Sequence, residues 1–449
     1  MKLFARKSTL NGTVAIPGSK SHTIRAVAIG ALAEGTSLIR APLASNDTLS
    51  AAHCYRQMGA TVDTSDAALW KVNGTGARLV TPKEVVDVGN SGTTLRIATG
   101  SATLAKTGST VTFTGDHQTQ NRPMAGLVDA LNHLGAKVRS LKNNGKAPIE
   151  VVAGLVGGKT DLQSPTSQFL TSLLLCTPLA PKDSEINVTL LNEPGYAQMT
   201  VDWLDQQGIE YQNKGLTWFK IKGRQRYKAF DRAIPADFSS ATFFLCGAAL
   251  FGGQVLLKGL DFSDSQPDKM VVEYLRAMGA NITIEDCGSR IADSSRGDNP
   301  KSEIRNTQSV VTVHGSSLKG IEIDMNKTPD ALPAMSVLAT FAEGATRLVN
   351  VPQARTKETD RISCMAEELT KMGAKVEELP DGLIVHQSRM SPCPVSGHGD
   401  HRIVMALSLA AMAFDEPTTI DTAEAMSVTF PNYVDLMTSL GARMELIGD

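Results

Sequence analysis

The stretch CMAEELTKMGAKVEEL, residues 364–379, contains the unit that decides the fold. From Cys364 to Gly373, apolar residues recur at the i, i+3, i+4 and i+7 spacing of an amphipathic helix. Gly373 then stands where a left-handed residue commonly ends a helix, because glycine carries no Cβ. Ala374–Leu379 follows with the alternation typical of a strand. The stretch therefore predicts a helix, a terminating glycine and a strand.

The same pattern recurs along the whole chain. A helical pattern ends at a glycine, usually followed by a β-former, at Gly59, Gly135, Gly208, Gly279, Gly373 and Gly441. The intervals are similar except for a longer one before Gly373, which the polar residues 286–308 fill, and we predict a surface insertion there. Chance recurrence is the alternative, since glycine and alanine are common, but a second feature repeats in phase with the first.

That second feature is a set of Ala/Leu-rich segments that open with polar residues. They begin at Ser19, Asn90, Thr166, Asp237, Thr328 and Gly399. Each segment is apolar on most faces, which predicts a buried helix, and each opens with a residue type common at helix N-caps. We therefore expect an α/β (α+β) protein built from six similar units, each with two helices and several strands.

Composition and charge limit the class of protein. A chain of 449 residues is too long for one ordinary core, so two or three domains are expected. With 44 basic and 46 acidic residues, the formal net charge is −2. No bulk electric field therefore favours nucleic acid or a membrane surface as a partner. Any cationic site must be local.

Cysteine usage and hydropathy indicate a cytoplasmic protein. The six cysteines form no CxxC pair, and none lies near a histidine at metal-ligand spacing. We predict reduced thiols rather than disulfides or a zinc site. The N-terminal residues lack the apolar core of a signal peptide, and no apolar run is long enough to span a bilayer.

The openings of the predicted buried helices carry residues that are unusual in apolar segments. A helix N-terminus exposes unpaired N–H groups and a partial positive charge, so it favours anions. Here the openings also carry Lys20, Arg25, Arg96, Asp330, His401 and Arg402. If several of these ends face one cleft, that cleft attracts anions strongly. Substrates rich in phosphate and carboxylate are the expected ligands.

Each charged motif, taken alone, has an ordinary explanation. PGSKSHTIR (17–25) could be a capped helix with solvated charges, although Arg25 in an apolar helix needs a buried partner. RTKETDR (355–361) could be a solvated helix with i,i+4 ion pairs, although Lys357 and Arg361 would repel each other without a bound anion. A histidine in DHR (400–402) is more often structural. No Ser-His-Asp, HExxH or GxGxxG constellation is evident.

Taken together, the motifs resemble one known family. PGSKSHTIRA, GNSGTTLR, the Arg-Pro of QNRP, TSQFL, TPDALP, RTKETDR, GDHR and TFPNY occur in the order and spacing seen in 5-enolpyruvylshikimate-3-phosphate synthases, essentially from end to end. The resemblance implies two similar domains of three βαβαββ repeats each, with buried helix N-termini facing an interdomain cleft. It places one domain at residues 17–234 and a discontinuous one at residues 1–16 and 235–449.

The resemblance also implies two ligands and the residues that contact them. Shikimate 3-phosphate is expected to contact Lys20, Ser21, Arg25, Thr166, Ser167, Gln168, Tyr196, Asp330, Gln353 and Lys357. Phosphoenolpyruvate is expected to contact Lys20, Asn90, Gly92, Arg122, Gln168, Arg361, His401 and Arg402. These residue types suit the task, because two polyanions held close together need cations and helix dipoles to offset their repulsion, and arginine grips such groups with two hydrogen bonds.

The implied activity is transfer of an enolpyruvyl group to the 5-hydroxyl of shikimate 3-phosphate, through a tetrahedral intermediate that loses phosphate. The resemblance makes Asp330 the base that accepts the hydroxyl proton. It makes Glu358 the acid that protonates the methylene carbon, aided by Lys20. Such an acid needs a pKa raised by burial or by neighbouring anions. No metal or organic cofactor is implied, and a monomer without nucleic-acid or membrane partners is expected.

Some positions depart from the family pattern. Gln353 stands for an asparagine, and Val428 stands for a lysine found in many members. In NEPGY, Asn192 replaces the serine of a Ser-x-Pro-Tyr phosphate motif and Gly195 is inserted before the tyrosine. Gly92 matches the pattern, and the absence of a bulkier side chain there predicts that the phosphoenolpyruvate analogue glyphosate fits.

Other functions remain open at this point. A paralogue acting on another hydroxylated phosphate ester is compatible with the departures. The related UDP-N-acetylglucosamine enolpyruvyl transferase uses a cysteine in the loop before its Arg-Pro, and DHQTQNRP (116–123) has none. A non-catalytic anion-binding protein is disfavoured, because Asp330 and Glu358 would repel its ligand.

Overall fold

The computed structural model describes residues 1–286 and 309–448. The surface insertion predicted at residues 286–308 lies outside these ranges, apart from its first residue. None of the helices within the described ranges is both long enough and apolar enough to cross a membrane.

Helices and strands alternate along the described residues. The helices are α1 (Lys20–Leu32), α2 (Asn46–Gln57), α3 (Gly92–Ala102), α4 (His117–Asn121), α5 (Ala125–His133), α6 (Ser167–Cys176), α7 (Pro194–Gln207), α8 (Phe238–Phe251), α9 (Met270–Ala277), α10 (Leu332–Phe341), α11 (Arg361–Lys371), α12 (His401–Ala411) and α13 (Tyr433–Ser439). The strands are β1 (Lys2–Arg6), β2 (Leu10–Ala15), β3 (Thr36–Arg40), β4 (Thr61–Asp63), β5 (Leu69–Asn73), β6 (Val86–Asp87), β7 (Thr110–Thr114), β8 (Lys137–Ser140), β9 (Ile149–Val152), β10 (Gly158–Ser164), β11 (Ser184–Leu191), β12 (Tyr211–Asn213), β13 (Trp218–Ile221), β14 (Asp231–Ala233), β15 (Gly252–Leu260), β16 (Asn281–Asp286), β17 (Ser309–His314), β18 (Glu322–Asp324), β19 (Ala345–Val349), β20 (Val376–Leu379), β21 (Gly382–His386), β22 (Thr418–Ile420) and β23 (Arg443–Ile447).

The strands form six small sheets, of which five are four-stranded and share one plan, whereas the sixth, ordered β22-β1-β23, has three strands. In the sheet ordered β6-β7-β9-β8, β6 and β7 are parallel, and the remaining pairs are antiparallel. The sheet β10-β11-β13-β12 and the sheet β18-β19-β21-β20 have the same arrangement. A helix makes the crossover between the parallel strands, as parallel pairing requires, and a second helix precedes the closing hairpin. The expected βαβαββ unit is confirmed.

Three sheets include a strand from a distant part of the chain. β14 pairs in parallel with β3, and β2 pairs in parallel with β15. β1, at the N-terminus, lies between β22 and β23 and is antiparallel to both. The first strands of the chain therefore complete units whose other strands come from the C-terminal half.

The helix that precedes each closing hairpin ends as the repeat predicts. α2, α5, α7, α9, α11 and α13 are followed within two residues by the repeated glycines, whose φ angles are all positive, between 68° and 103°. Such angles are strained for residues with a side chain. At Gly59 a Cβ would also lie 2.7 Å from a methyl carbon of Val80. Glycine is therefore needed there for backbone conformation and for packing.

The Ala/Leu-rich segments are buried helices, as predicted. α1, α3 and α6 form one group, in which α3 contacts both of the others. α8, α10 and α12 form a second group in which each contacts the other two. Nearly every residue of these six helices is buried. Their apolar surfaces are shielded from water only inside a domain, so each group of helices lies at the centre of a hydrophobic core.

Two separate hydrophobic cores surround these helix groups. One is built from residues between Ile24 and Ile234. The other combines Leu3–Ile16 with residues between Ala236 and Met444. We call the parts of the chain around them the first and the second domain. The chain passes between the two domains twice, and these two connecting segments run side by side, since Ser19 N donates to Pro235 O at 2.8 Å.

Candidate functional site

The predicted site residues cluster at the N-termini of the buried helices. Lys20 begins α1, Gly92 begins α3, Ser167 begins α6 and His401 begins α12, while Asp330 lies in the 3-10 turn before α10. Free N–H groups and the positive ends of several helix dipoles are thus directed toward the same region. This arrangement favours anions, as the polar helix openings predict.

One cavity between the domains is lined by residues of both. Predicted site residues among its lining are Lys20, Arg122, Thr166, Gln168, Asp330, Gln353, Lys357, Glu358, Arg361 and Arg402. The open volume is only ≈ 40 Å³, enough for about three water molecules. A ligand the size of a sugar phosphate enters only if side chains move or the domains separate.

Ion pairs that cross from one domain to the other hold this cavity closed. Arg122 Nη2, in the first domain, lies 3.1 Å from Glu358 Oε1 in the second. Lys357, in the second domain, pairs with Glu193 in the first. All four of these side chains are at least four-fifths buried. Carboxylates of the chain therefore occupy positions beside cations where anionic ligands would bring their own charges.

Arg361 is the centre of a buried network in the second domain. Its guanidinium contacts Asp400 Oδ2 at 2.8 Å, Asp330 Oδ1 at 2.8 Å and Glu358 Oε2 at 2.5 Å. Arg402 Nη2 lies 3.1 Å from the other oxygen of Asp330. Only 1% of the Arg361 side chain is exposed. The network fixes the two candidate catalytic carboxylates relative to one another.

The RTKETDR motif is not the solvated helix of the alternative interpretation. Pro352–Thr356 forms a 3-10 helix, and α11 begins only at Arg361, where Asp360 accepts a hydrogen bond as the N-cap. Lys357 Nζ lies 3.9 Å from Asp330 Oδ1. The repulsion expected between Lys357 and Arg361 is therefore offset by a carboxylate of the chain itself.

Both candidate catalytic carboxyl groups have lowered pKa values. Burial raises the pKa of Asp330, but nearby cations, Arg402 first among them, outweigh burial and hold it well below its usual range. Burial likewise raises the pKa of Glu358, but its cationic neighbours, chiefly Arg122, lower it by more, so the net pKa lies well below its usual range. With only the charges of the chain around it, Glu358 is ionised at neutral pH. An acid role thus requires ligand anions that take up the arginine charge.

His401 is buried behind the cavity rather than in its lining. Burial lowers the pKa of its imidazole to about 3, against the opposing effect of Asp400 and Glu358. The ring is therefore neutral. Neither ring nitrogen has a hydrogen-bond partner among the described residues, so the ring can still donate one hydrogen bond and accept another.

Several residues predicted to contact shikimate 3-phosphate do not line the cavity. The buried Arg25 guanidinium donates to Thr200 Oγ1 at 2.9 Å, to Ser21 O at 2.9 Å and to Tyr196 O at 2.7 Å. The Tyr196 hydroxyl donates to Asp268 Oδ2, in the second domain, at 2.5 Å. Arg25 therefore has the buried partners that an arginine in an apolar helix needs. The ligand contacts predicted for Ser21, Arg25 and Tyr196 stay predictions.

Asn90 and Gly92 support the cavity wall from behind. Asn90 Nδ2 donates to Asp116 Oδ2 at 2.7 Å and to Gln118 Oε1 at 2.5 Å, which holds this loop together, and its contact with phosphoenolpyruvate stays a prediction. A Cβ on Gly92 would lie 2.3 Å from Arg122 Nη1. The Arg122 guanidinium can take its position only because residue 92 has no side chain.

Three charged residues of the lining were not predicted as site residues. Arg96 Nη1 donates to Gln168 Oε1 at 2.6 Å and so orients that amide; the sequence marked Arg96 only as a charge at a helix opening. Asp47 Oδ2 lies 3.1 Å from Lys20 Nζ, and nothing in its local sequence distinguishes it. Glu193 lies inside the departure NEPGY, which could have drawn attention to it.

A group with metal-ligand geometry lies away from this cavity. Among the described residues, Glu367, Glu368 and His398 bring potential ligand atoms within 4.8 Å of one another. Lys371 Nζ lies 2.7 Å and 2.8 Å from the two carboxylates, so their charge is already offset by an ammonium group. The buried Glu368 also accepts a hydrogen bond from Ser396 N at 3.0 Å. This group therefore serves to hold the loop that leads into α12.

Comparisons with known proteins agree with this geometry. A family model described as EPSP synthase (3-phosphoshikimate 1-carboxyvinyltransferase) matches residues 5–437. A relative named 3-phosphoshikimate 1-carboxyvinyltransferase from Acetivibrio thermocellus is 48% identical over 98% of this chain and 99% of its own. One of the same name from Ruminiclostridium cellulolyticum is 47% identical over the full length of both.

Solved structures show the same likeness in three dimensions. An EPSP synthase from Acinetobacter baumannii superposes with a TM-score of 0.80 at 26% sequence identity, covering 99% of this chain and all of the other. The match to the family model along nearly the whole chain agrees with the end-to-end run of motifs in the sequence. The chain belongs to the EPSP synthase family.

Proposed function

We propose that the protein transfers the enolpyruvyl group of phosphoenolpyruvate to the 5-hydroxyl of shikimate 3-phosphate and releases phosphate. The observation that carries this proposal is the cavity in which Asp330 and Glu358 lie among six cations supplied by both domains: Lys20, Arg96, Arg122, Lys357, Arg361 and Arg402. Two anionic substrates need such a concentration of positive charge, and the two carboxylates supply the acid–base groups that addition and elimination require.

We assign the acceptor to the side of the cavity near α6 and Lys357. Thr166 and Gln168 line this side, and Ser167 presents a helix N-terminus to it. We assign phosphoenolpyruvate to the side formed by Arg122, Arg361 and Arg402, with His401 behind it. Guanidinium groups suit both its carboxylate and its phosphate.

The proposed first step is addition. Asp330 takes the proton of the acceptor 5-hydroxyl, and that oxygen forms a bond to C2 of phosphoenolpyruvate. Glu358 gives its proton to C3, which becomes a methyl group. In the structure, Arg122 and Arg361 lower the pKa of Glu358. When phosphoenolpyruvate binds, its carboxylate and phosphate pair with these two arginines and bring negative charge beside Glu358. The pKa of Glu358 therefore rises, and the group can carry the proton that it donates.

The proposed second step is elimination. The methyl group returns a proton to the Glu358 carboxylate, the C2–C3 double bond forms again, and the bond from C2 to the phosphate oxygen breaks. The cations that bound the substrate phosphate stabilise the leaving phosphate, and this phosphate carries away the proton that Asp330 took from the hydroxyl, so both carboxyl groups return to their starting states. This chemistry uses only side chains of the protein and requires no organic cofactor or metal.

We propose that the domains span residues 17–234 and residues 1–16 with 235–449, and that they close on the ligands. The separate cores and the adjacent connections at Pro17 and Pro235 support this division. Closure expels water and aligns the reactants, effects worth roughly 7–11 kcal/mol of barrier in favourable cases. We further propose that the protein acts in the cytoplasm as a monomer.

One observation favours a second candidate, an enolpyruvyl transferase with another acceptor. Glu193 places a carboxylate beside the proposed acceptor site, and Gln353 and Asn192 also depart from the family pattern nearby. UDP-N-acetylglucosamine as the acceptor is disfavoured. The transferase that uses it has a cysteine in the loop before its Arg-Pro, and the corresponding loop here, DHQTQNRP (116–123), has none.

A phosphate-release assay tests the proposed function. Purified protein is incubated with phosphoenolpyruvate and shikimate 3-phosphate, and phosphate is measured by a coupled enzyme. Release is expected only when both substrates are present, and Asp330→Ala and Glu358→Ala are expected to abolish it. Other hydroxylated phosphate esters, offered in turn as the acceptor, test the paralogue. Phosphate release with one of them but none with shikimate 3-phosphate would overturn the assignment.

Gly92→Ala is expected to weaken phosphoenolpyruvate binding and glyphosate inhibition together. The new methyl group would lie 2.3 Å from Arg122 Nη1, so the guanidinium must move away from its Glu358 partner and from the ligand. We expect KM for phosphoenolpyruvate and the inhibitory concentration of glyphosate both to rise, each by about tenfold, since misplacing one charged hydrogen bond costs roughly 1.5 kcal/mol. Steady-state kinetics check both values.

Gly208→Ala is the matched control for this change. Unlike Gly92, Gly208 lies away from the cavity, and a Cβ there would meet no atom within 4 Å, although its positive φ makes the backbone of an alanine strained. It is expected to leave both constants near those of the unmodified protein. Full activity of the unmodified protein at millimolar glyphosate would contradict the predicted fit.

A further inference from the structure

Glu193 carries a buried negative charge at the place proposed for the acceptor. The residue is 1% exposed, and its backbone is left-handed, with φ 57° and ψ 48°. Non-glycine residues seldom adopt this conformation, and it is often found at functional sites. Here it directs the side chain inward, to the N-terminus of α6.

The Glu193 carboxylate is bound there as an external anion would be. Oε2 accepts hydrogen bonds from Ser167 N at 3.3 Å, Ser167 Oγ at 3.0 Å and Thr166 Oγ1 at 3.3 Å. Oε1 pairs with the Lys357 ammonium of the second domain. A helix N-terminus, two hydroxyls and an ammonium group form a site typical of phosphate recognition. In this structure the chain's own carboxylate fills it.

Contacts between the domains hold the Glu193 segment in this position. Asn326, in the second domain, accepts a hydrogen bond from Glu193 N at 3.4 Å and donates one to Asn192 Oδ1 at 3.1 Å. Lys357 belongs to the same domain. Separation of the domains therefore removes Lys357 and Asn326 from Glu193 at once, leaving the donors of α6 with a carboxylate that is no longer neutralised.

We propose that Glu193 is an internal competitor for the acceptor's phosphate group, and this inference rests on the proposed function. The phosphate and the Glu193 carboxylate use the same donors, Ser167, Thr166 and Lys357. They cannot use them together, because two anions at one site repel each other strongly. The acceptor must displace Glu193 before the domains close around it. Glu193 thereby lowers the apparent affinity for the acceptor and favours ligands whose phosphate carries a full double charge.

Glu193→Gln tests this proposal, since it keeps the side-chain shape and removes the charge. We expect KM for shikimate 3-phosphate to fall at least fivefold, with a much smaller change in kcat and in KM for phosphoenolpyruvate. Glu193→Ala is expected to act in the same direction. Glu185→Gln is the control, because it removes a carboxylate of the same domain that pairs with Lys159 on the surface and is expected to change none of these constants.

A binding measurement separates this proposal from the proposed function. Titration calorimetry with inorganic phosphate is expected to give at least fivefold tighter binding to Glu193→Gln than to the unmodified protein, whether or not the protein turns over shikimate 3-phosphate. A higher KM, weaker phosphate binding or no change in either variant would overturn the proposal. Absence of turnover in the unmodified protein would count against the proposed function alone. Thermal unfolding of each variant confirms that it is folded.

Discussion

Asp330→Asn is expected to lower kcat by about 10²–10⁴, the usual contribution of a positioned acid–base group. The amide has nearly the same shape but cannot take the proton of the acceptor hydroxyl. KM for the two substrates is not expected to rise, because the change removes a negative charge beside Lys357, Arg361 and Arg402. Steady-state kinetics with both substrates varied measure this separation of kcat from KM.

The control for this change is Asp435→Asn. Asp435 is an exposed carboxylate in the first turn of α13, in the same domain and away from the cavity. It is expected to leave kcat within twofold of the unmodified enzyme. If Asp330→Asn lost less than tenfold in kcat, Asp330 would not be the base, and its role would be confined to holding the cations in place.

Arg361→Met is expected to give the largest loss of stability. Methionine fills similar space but leaves Asp330, Glu358 and Asp400 without their shared cation in a buried region. Removing one partner from a buried ion pair costs about 3–5 kcal/mol. For a domain of this size, such a loss lowers the midpoint of thermal unfolding by about 10 °C. Differential scanning calorimetry at pH 8 measures this shift.

The loss caused by Arg361→Met should depend on pH. In the unmodified protein the pKa values of Asp330 and Glu358 are lowered, so their contribution to stability is present above the unfolded pKa of about 4 and declines as pH falls below it. In the variant, burial raises the folded pKa of Asp400, because this carboxyl loses the cation that chiefly opposed its burial, whereas Asp330 keeps Arg402 and Glu358 keeps Arg122. Its penalty is therefore full at pH 8 and shrinks as pH falls toward 5, because protonation then relieves the buried charges.

Arg139→Met is the matched control for the stability experiment. Arg139 pairs with Glu150 at 2.7 Å, but its side chain is 68% exposed, and exposed pairs contribute little because water screens them. Its midpoint should stay close to that of the unmodified protein at both pH values. An equal loss from the two variants would show that the buried network is not the cause.

The fold could be predicted because its signals are local and repeated. A glycine after a helical pattern reports a backbone angle that other residues avoid, and each of the six glycines has that angle. The buried helices were recognisable because their sequences are apolar on most faces. The exchange of strands between the halves of the chain was less accessible. Nothing in Lys2–Arg6 reveals that this strand pairs with β22 and β23 rather than with a neighbour in sequence.

The sequence predicted which residues form the site, but not which charged side chains pair with one another. Motifs identified most of the residues that line the cavity, because the chemistry requires particular residue types there. The partner of each charge depends on which chain segments meet, and these are far apart in sequence, as Lys357 and Glu193 are. The pKa of Glu358 could not be foreseen for the same reason. It is set by the number of arginines around it, not by burial alone.

The position of β1 constrains how the polypeptide can fold during its synthesis. This strand is synthesised long before both of its neighbours, β22 and β23. The first domain can fold while translation continues, since its core ends at Ile234. The second cannot be completed until β22 and β23 have left the ribosome, so β1 lacks both of these partners while the residues between them are made.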